Sequence, residues 1–165
     1  MSKRHFQLTK MQTLPRYRLH LDYADGLAVA VDLRAWIENT KALAPLKDPS
    51  VFASARLGVG GQYVEWANDG PDLAADNLRN LAIEQNGGIG HERIWNWLHD
   101  NQLSLDEGAK ALGISRRMLI YYRNGEKPIP RAIWLACLGW EAVRPEGVWL
   151  PRRIPSVLEY TKLHQ

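Results

Sequence analysis

The residues of this sequence that could do chemistry are mainly cationic, and they are concentrated in one short stretch. Residues 114–131 contain five basic side chains and a single acidic one, Glu126. The basic residues are Arg116, Arg117, Arg123, Lys127 and Arg131. The whole net charge of +3 arises after residue 90, because residues 1–90 carry ten basic and ten acidic side chains. Such a local excess is typical of a phosphate-binding surface, and a solvated helix face is the competing interpretation.

Residue types that bind metals or act as nucleophiles do not form a recognisable set. The five histidines lack metal-ligand spacing, and His91 and His99 lie too far apart on one predicted helix to share an ion. Cys137 falls on the apolar face of a predicted helix, where a small buried hydrophobe is expected. No nucleophile elbow, P-loop or dinucleotide fingerprint is present. We therefore expect no enzyme activity, no cofactor and no metal.

The aspartates and glycines of the N-terminal half are explained by turns. The aspartates stand at turns or helix starts, where Asp has a structural role, and they are Asp22, Asp25, Asp32, Asp69, Asp72 and Asp76. The cluster of Gly58, Gly60 and Gly61 lies inside a predicted hairpin and does not open a helix. We interpret it as a turn rather than as a phosphate-binding loop.

Length and composition favour an ordinary globular protein. The 165 residues suffice for one medium domain or two small ones, and 45% of them are hydrophobic. No apolar run approaches the roughly 20 residues that span a bilayer, so no membrane partner is expected. The single cysteine excludes an intramolecular disulfide and favours a reducing, cytoplasmic location.

The sequence predicts an α+β protein of two domains. Residues 1–86 are expected to form an antiparallel sheet with helices on one face, in the order ββαββα. The predicted hairpin comprises strands 17–23 and 27–33. For residues 6–14 the sequence leaves two alternatives, a further strand or an irregular segment before the hairpin. The other predicted elements are a helix over 32–44 ended by Pro45 and Pro49, strands 52–57 and 62–66, and a helix over 73–85 capped by Asp72.

This half resembles a small, widespread bacterial domain of unknown function. The residues that carry the resemblance are Tyr17-x-Leu19-x-Leu21, Asp25-Gly26, Val31-Asp32-Leu33, Phe52, Val64-x-Trp66 and Asp72-Leu73. Members of that family occur alone or beside toxin–antitoxin or helix-turn-helix partners. The resemblance implies a fold and a dimerisation, sensor or partner-binding role, and it carries over no catalytic residues.

The second predicted domain, 91–165, follows a glycine-rich linker over 87–90 and is helical. After a helix over 91–101, Ser104 and Glu107 form a capping box for a helix over 105–112. Gly113 is predicted to end that helix at positive φ, and Ser115 to cap the next one, over 116–124. A fourth helix is expected over 131–142, followed by a tail with a last helix over 156–163. Packing of Trp149 on a domain is favoured over base stacking, and Arg152 and Arg153 are interpreted as an exposed pair.

Residues 92–142 resemble the Cro/CI-type, lambda-repressor-like helix-turn-helix. The pattern is present as Ala109, Gly113, Ile114-Ser115 and Tyr122-Arg123-Asn124-Gly125, and the competing interpretation is an αα-hairpin with an incidental glycine. Leu105 departs from it where a polar residue is usual. Gly108 departs from the pattern at a position where an apolar core residue is usual. A large neighbouring side chain, such as a Trp, is therefore expected to fill the space that the missing side chain leaves.

Helical periodicity divides the residues of the second helix into a buried and a DNA-facing side. Ser115, Leu119 and Tyr122 are expected to be buried. The candidates for reading bases in double-stranded DNA are Arg116, Arg117, Ile120 and Tyr121. The candidates for contacting phosphates are Ser104, Asn124, Lys127 and Arg131.

Three functional hypotheses follow from this combination. The first is a homodimeric, sequence-specific transcriptional regulator, because one helix-turn-helix buries too little surface for specific binding alone. The second is an antitoxin-like protein whose N-terminal domain binds a toxin partner. The third is a scaffold whose helix-turn-helix no longer binds DNA.

Overall fold

The computed structural model describes residues 4–67 and 69–143, and this part of the chain is a mixed α+β structure. It contains two three-stranded antiparallel sheets, with short helices between them and a series of longer helices after the second. The predicted tail helix and Trp149, Arg152 and Arg153 lie outside the described residues. The prediction of a mixed α and β fold is therefore confirmed, but the element order of the N-terminal half differs from ββαββα.

The first sheet comprises β1 (Leu8–Leu14), β2 (Arg18–Tyr23) and β3 (Ala28–Asp32), in that order. Residues 8–14 therefore form a strand and not an irregular segment. The predicted hairpin is confirmed, since β2 pairs with β3 through Leu19↔Val31 and Leu21↔Val29. The β2–β3 turn contains Gly26 at φ +94°, a conformation that favours glycine.

The predicted helix over 32–44 is shorter and is followed by two further helical segments. Helix α1 (Arg34–Asn39) ends at Thr40, whose backbone is extended, and a 3₁₀ helix then runs over Lys41–Lys47. Pro45 lies inside this 3₁₀ helix and ends no α-helix, so its predicted role was wrong. Pro49 begins α2 (Pro49–Ala53), because the first helical position needs no backbone N–H donor.

The elements around the second sheet differ from the predicted ones. A helix occupies the start of a predicted strand, and a strand occupies the start of a predicted helix. Residues 52–57 were predicted as a strand, but Phe52 belongs to α2, which Asp48 caps through the Ser50 amide at 2.8 Å. Only β4 (Arg56–Leu57) remains, and it pairs with β5 (Tyr63–Glu65). Asp72 caps no helix, because the backbone of β6 (Asp72–Ala74) pairs with β5 and α3 (Ala75–Gln85) starts after it.

The C-terminal helices begin and end close to their predicted positions. They are α4 (Glu92–Asp100), α5 (Leu105–Leu112), α6 (Arg116–Arg123) and α7 (Arg131–Val143). Their apolar side chains form one cluster, the C-terminal core, centred on Ile94, Leu119 and Cys137. The sheets, α1, α2 and α3 enclose a separate cluster, the N-terminal core, which includes Leu19, Leu21 and Leu78. The proposed domain boundaries stay a prediction.

The glycine-rich connection between α3 and α4 is held by hydrogen bonds. The Gly88 amide donates to the Ile83 carbonyl at 2.9 Å, and the Gly90 amide donates to the Glu84 carboxylate at 2.8 Å. Glu84 also accepts from Arg93 Nη2 at 2.6 Å. A Cβ on Gly90 would overlap the side chain of Asn80, so this glycine allows α3 to approach the start of α4.

Candidate nucleic-acid interface

The α5–turn–α6 unit is built by local hydrogen bonds that the sequence predicts. Ser104 Oγ accepts from the Glu107 amide at 3.3 Å, while the Ser104 amide donates to the Glu107 carboxylate at 2.8 Å. Gly113 ends α5 with φ +69°, and Ser115 Oγ accepts from the Met118 amide at 3.2 Å. The capping box, the left-handed glycine and the second cap are all confirmed.

Gly108 allows α4 and α5 to pack closely. A Cβ at this position would overlap the end of the Leu98 side chain, and it would lie 3.2 Å from Leu119 and 3.4 Å from the Trp97 ring. The expected large neighbour is therefore chiefly Leu98, with Trp97 beside it. The departure from the resembled pattern at this position is compensated by packing, because the glycine is itself buried.

Helix α6 buries one side and exposes the other. Leu119 and Tyr122 belong to the C-terminal core, as predicted. Ser115 is exposed, so its predicted burial was wrong, and the reason is that a capping side chain lies beside the helix end rather than along its buried side. Arg116 and Arg117 are both exposed in the first turn of α6.

Two of the basic side chains around α6, Arg117 and Lys127, contact Tyr121. Arg117 Nε donates to the Tyr121 hydroxyl at 2.6 Å, and the Lys127 ammonium lies 5.3 Å from the centre of the same ring. Arg116 Nε is 3.2 Å from Asp106 of α5, in a pair whose side chains are both more than half exposed. Exposed pairs of this kind contribute little stability, so Arg116 can exchange Asp106 for another anion.

The residues predicted to contact phosphates have different environments. Lys127 and Arg131 are exposed. The hydroxyl of Ser104 is used in the capping box, and the Asn124 side chain accepts from Arg123 Nε at 3.3 Å. Ile120, a predicted base contact, is half-buried.

Sequence reasoning missed two contacts at the edges of this surface. The Arg123 guanidinium lies 4.5 Å from the centre of the Trp95 ring, which is 50% exposed. The His5 ring donates from Nε2 to the Asn124 carbonyl at 2.8 Å. Neither contact has a signal in the sequence, because the first depends on how α4 and α6 are oriented relative to each other and the second joins residues 119 positions apart.

A crystal structure of a "Putative DNA Binding Protein" from Nitrosomonas europaea is similar to this chain. The sequence identity is 44%, the TM-score is 0.77, and the match covers 91% of this chain and 96% of that one. This chain belongs to the same family as the Nitrosomonas protein. No protein-family model matches the sequence, and no curated protein matches it either.

The similarity to the Nitrosomonas protein extends over both the sheet-containing part and the helices α4–α7. A match over 91% of the chain cannot be confined to the sheets or to α4–α7 alone. The pairing of the sheet-containing part with the α5–turn–α6 unit is therefore common to this chain and its relative.

The described residues contain one buried thiol and no group of side chains that could hold a metal ion. Cys137 is fully buried, its carbonyl accepts from Trp97 Nε1 at 3.2 Å, and burial raises the pKa of its thiol to about 12. Among residues 4–67 and 69–143, no three His, Cys, Asp or Glu side chains are grouped so as to hold a metal ion. None of the described helices is long and apolar enough to cross a membrane.

Proposed function

We propose that this chain is a sequence-specific DNA-binding protein that reads the major groove with α6. The observation that carries the proposal is the α5–turn–α6 unit, which exposes Arg116 and Arg117 on the first turn of its second helix. In helix-turn-helix proteins the first residues of the second helix contact base edges. The name of the Nitrosomonas relative supports DNA as the ligand.

The two arginines are assigned to base reading. Arginine can donate two hydrogen bonds to O6 and N7 of guanine, which discriminates against other bases by about 1–3 kcal/mol. Tyr121 accepts from Arg117 and so limits the directions in which that guanidinium can extend. Ile120 and the Tyr121 ring are assigned to contacts with a thymine methyl group.

The phosphate contacts are assigned to the ends of the unit. Lys127 and Arg131 are exposed cations, while Ser104 and Asn124 can offer polar groups at the start of α5 and the end of α6. The two cationic contacts in each subunit should each contribute about −0.9 to the slope of log K against log salt, because only a cation that neutralises a phosphate releases counterions.

We further propose a homodimeric transcriptional regulator. A single unit of this size buries too little surface for high specificity, whereas two units can occupy half-sites about one helical turn apart. The bound DNA should therefore contain two copies of a short half-site. We propose no catalytic activity.

Selection of bound sequences from a pool of random duplexes tests the proposal. We expect the wild-type protein to enrich one motif, and the double variant R116A/R117A to lose that enrichment. Each guanine contact of about 1–3 kcal/mol corresponds to a loss of about 5- to 150-fold in specific affinity. The variant K41A/K47A is the matched control, because it removes two exposed cations from the 3₁₀ helix after α1.

Two results would contradict the proposal at different points. Enrichment of the same motif by R116A/R117A would show that other residues read the bases. No enrichment by the wild-type protein would contradict sequence-specific binding and would favour the scaffold hypothesis.

The antitoxin hypothesis shares the DNA-binding unit and adds a toxin partner for the sheet-containing part. The resemblance of that part to a domain that occurs beside toxin–antitoxin genes supports it. A small toxin gene immediately next to this one would favour the hypothesis, and co-purification of its product would test it.

A further inference from the structure

A segment far from α6 in sequence lies against the C-terminal end of that helix. The 3₁₀ turn Arg4–Phe6 places the His5 ring 2.8 Å from the Asn124 carbonyl, through a hydrogen bond that Nε2 donates. The Phe6 ring lies beside Gly125, where an added Cβ would be 3.2 Å from two ring atoms. The same ring is 5.0 Å from the His91 ring. The segment therefore forms part of the molecular surface where α6 ends.

The opposite side of this segment is anchored in the N-terminal core. Arg79 of α3, with only 7% of its surface exposed, donates from Nη1 to the His5 carbonyl at 2.7 Å. Its guanidinium also binds both carboxylate oxygens of Asp25, at 3.1 and 2.7 Å, and lies 4.9 Å from the centre of the Tyr23 ring. A buried guanidinium has few alternative partners, so it fixes the backbone at His5 firmly.

We propose that the segment Arg4–Phe6 belongs to the DNA-binding surface and that Arg4 contacts a backbone phosphate beside the end of α6. Arg4 is exposed and directly precedes His5, whose ring donates to the carbonyl of Asn124, the residue that follows α6. Arg4 is therefore an exposed cation next to the residue that contacts the end of α6, and Lys127 is another exposed cation, three residues after Asn124. This inference rests on the proposed function, because it presumes that α6 faces DNA.

The anchoring explains why a short segment can contribute to affinity. A cation on a freely moving terminus loses conformational freedom when it binds, and that loss reduces its net contribution. Here the main chain at His5 is held by Arg79, and the His5 side chain is held by its hydrogen bond to the Asn124 carbonyl. Only the Arg4 side chain has to be ordered on DNA.

The test compares R4A with K41A in binding to the duplex that the wild-type protein selects. Both variants remove one exposed cation, but Lys41 lies on the 3₁₀ helix after α1. Fluorescence anisotropy at several salt concentrations gives the slope of log K against log salt. We expect R4A to make the slope less negative by about 0.9 and to weaken binding about 5- to 10-fold at 0.1 M salt. We expect K41A to match the wild-type protein.

A second variant separates the charge from the anchor. H5A keeps the Arg4 charge but removes the hydrogen bond to Asn124, so it should weaken binding by less than R4A does. Equal slopes and affinities for R4A and K41A would overturn the inference, and the segment would then only join the two parts of the chain. Loss of binding by R116A/R117A in the same assay would leave the proposed function standing. If the wild-type protein binds no duplex, both fail.

Discussion

At the scale of single residues, Tyr121 connects two predicted DNA contacts. Its hydroxyl accepts from Arg117 and its ring lies under Lys127. The 3.6-residue periodicity correctly predicted that Leu119 and Tyr122 are buried and that Arg116 and Arg117 are exposed, because it depends only on spacing. The contact between Arg123 and Trp95 was not predictable in the same way, since it depends on how α4 and α6 are oriented relative to each other.

Replacing Tyr121 by phenylalanine tests whether this residue positions Arg117. Y121F keeps the ring but removes the hydroxyl that accepts from Arg117 Nε. We expect specific affinity to fall about 3- to 10-fold, in line with about 1 kcal/mol for one hydrogen bond, while affinity for random duplex is unchanged. In an R117A background the substitution should have no further effect. An equal loss in both backgrounds would mean that the Tyr121 hydroxyl contacts DNA directly.

At the scale of elements, local signals explain where sequence reasoning succeeded. The helices α5 and α6 were predicted closely because Ser104, Glu107, Gly113 and Ser115 specify their ends within a few residues. Phe52 was misassigned because an apolar residue fits a strand or a short helix equally well. The signal that decides between them was present as Asp48-Pro49, an N-cap followed by a first-turn proline.

Two glycines provide a matched test of how helix ends are specified. Gly113 has φ +69° and Gly139 lies inside α7, and an added Cβ would meet no atom within 4 Å at either position. We expect G113A to lower the free energy of unfolding by about 1 kcal/mol, because alanine is strained at positive φ. G139A should raise it by about 0.5–1 kcal/mol, since alanine favours the helix. Urea denaturation measures both, and a change of the same sign would contradict this explanation.

At the scale of the whole molecule, the ion pair of Asp25 and Arg79 connects the β2–β3 turn, α3 and the segment before β1. Burial alone would raise the pKa of the Asp25 carboxyl, but hydrogen bonds from Arg79 and from the Leu27 amide hold that pKa below the ordinary value of an aspartate. No sequence signal predicted this pair. Its members lie 54 positions apart, and Asp25 alone was well explained as a turn residue.

The ion pair predicts a specific dependence of stability on pH. A carboxyl whose pKa is lowered on folding stabilises the protein above its unfolded pKa, and that contribution is lost as pH falls through the folded pKa. We expect D25N to cost about 1–2 kcal/mol at pH 7 and pH 5, and the difference from wild type to shrink below pH 3.8. Chemical denaturation at pH 7, 5, 4 and 3 measures it. D100N, at an exposed side chain, is the control, and a D25N difference that stays constant down to pH 3 would contradict the assignment.

The hydrogen bond between His5 and Asn124 also has a consequence for the order in which parts of the protein fold during synthesis. At about 5–20 residues per second, a ribosome needs roughly 6–24 s to add the 119 residues that separate them. The N-terminal core, whose last member is Ala82, precedes Asn124 by 42 residues, so about 2–8 s of that interval remain for it to pack and to anchor His5 through Arg79. The end of α6 therefore meets a partner that is already in place, and this long loop closes onto a folded surface rather than between two mobile chain segments.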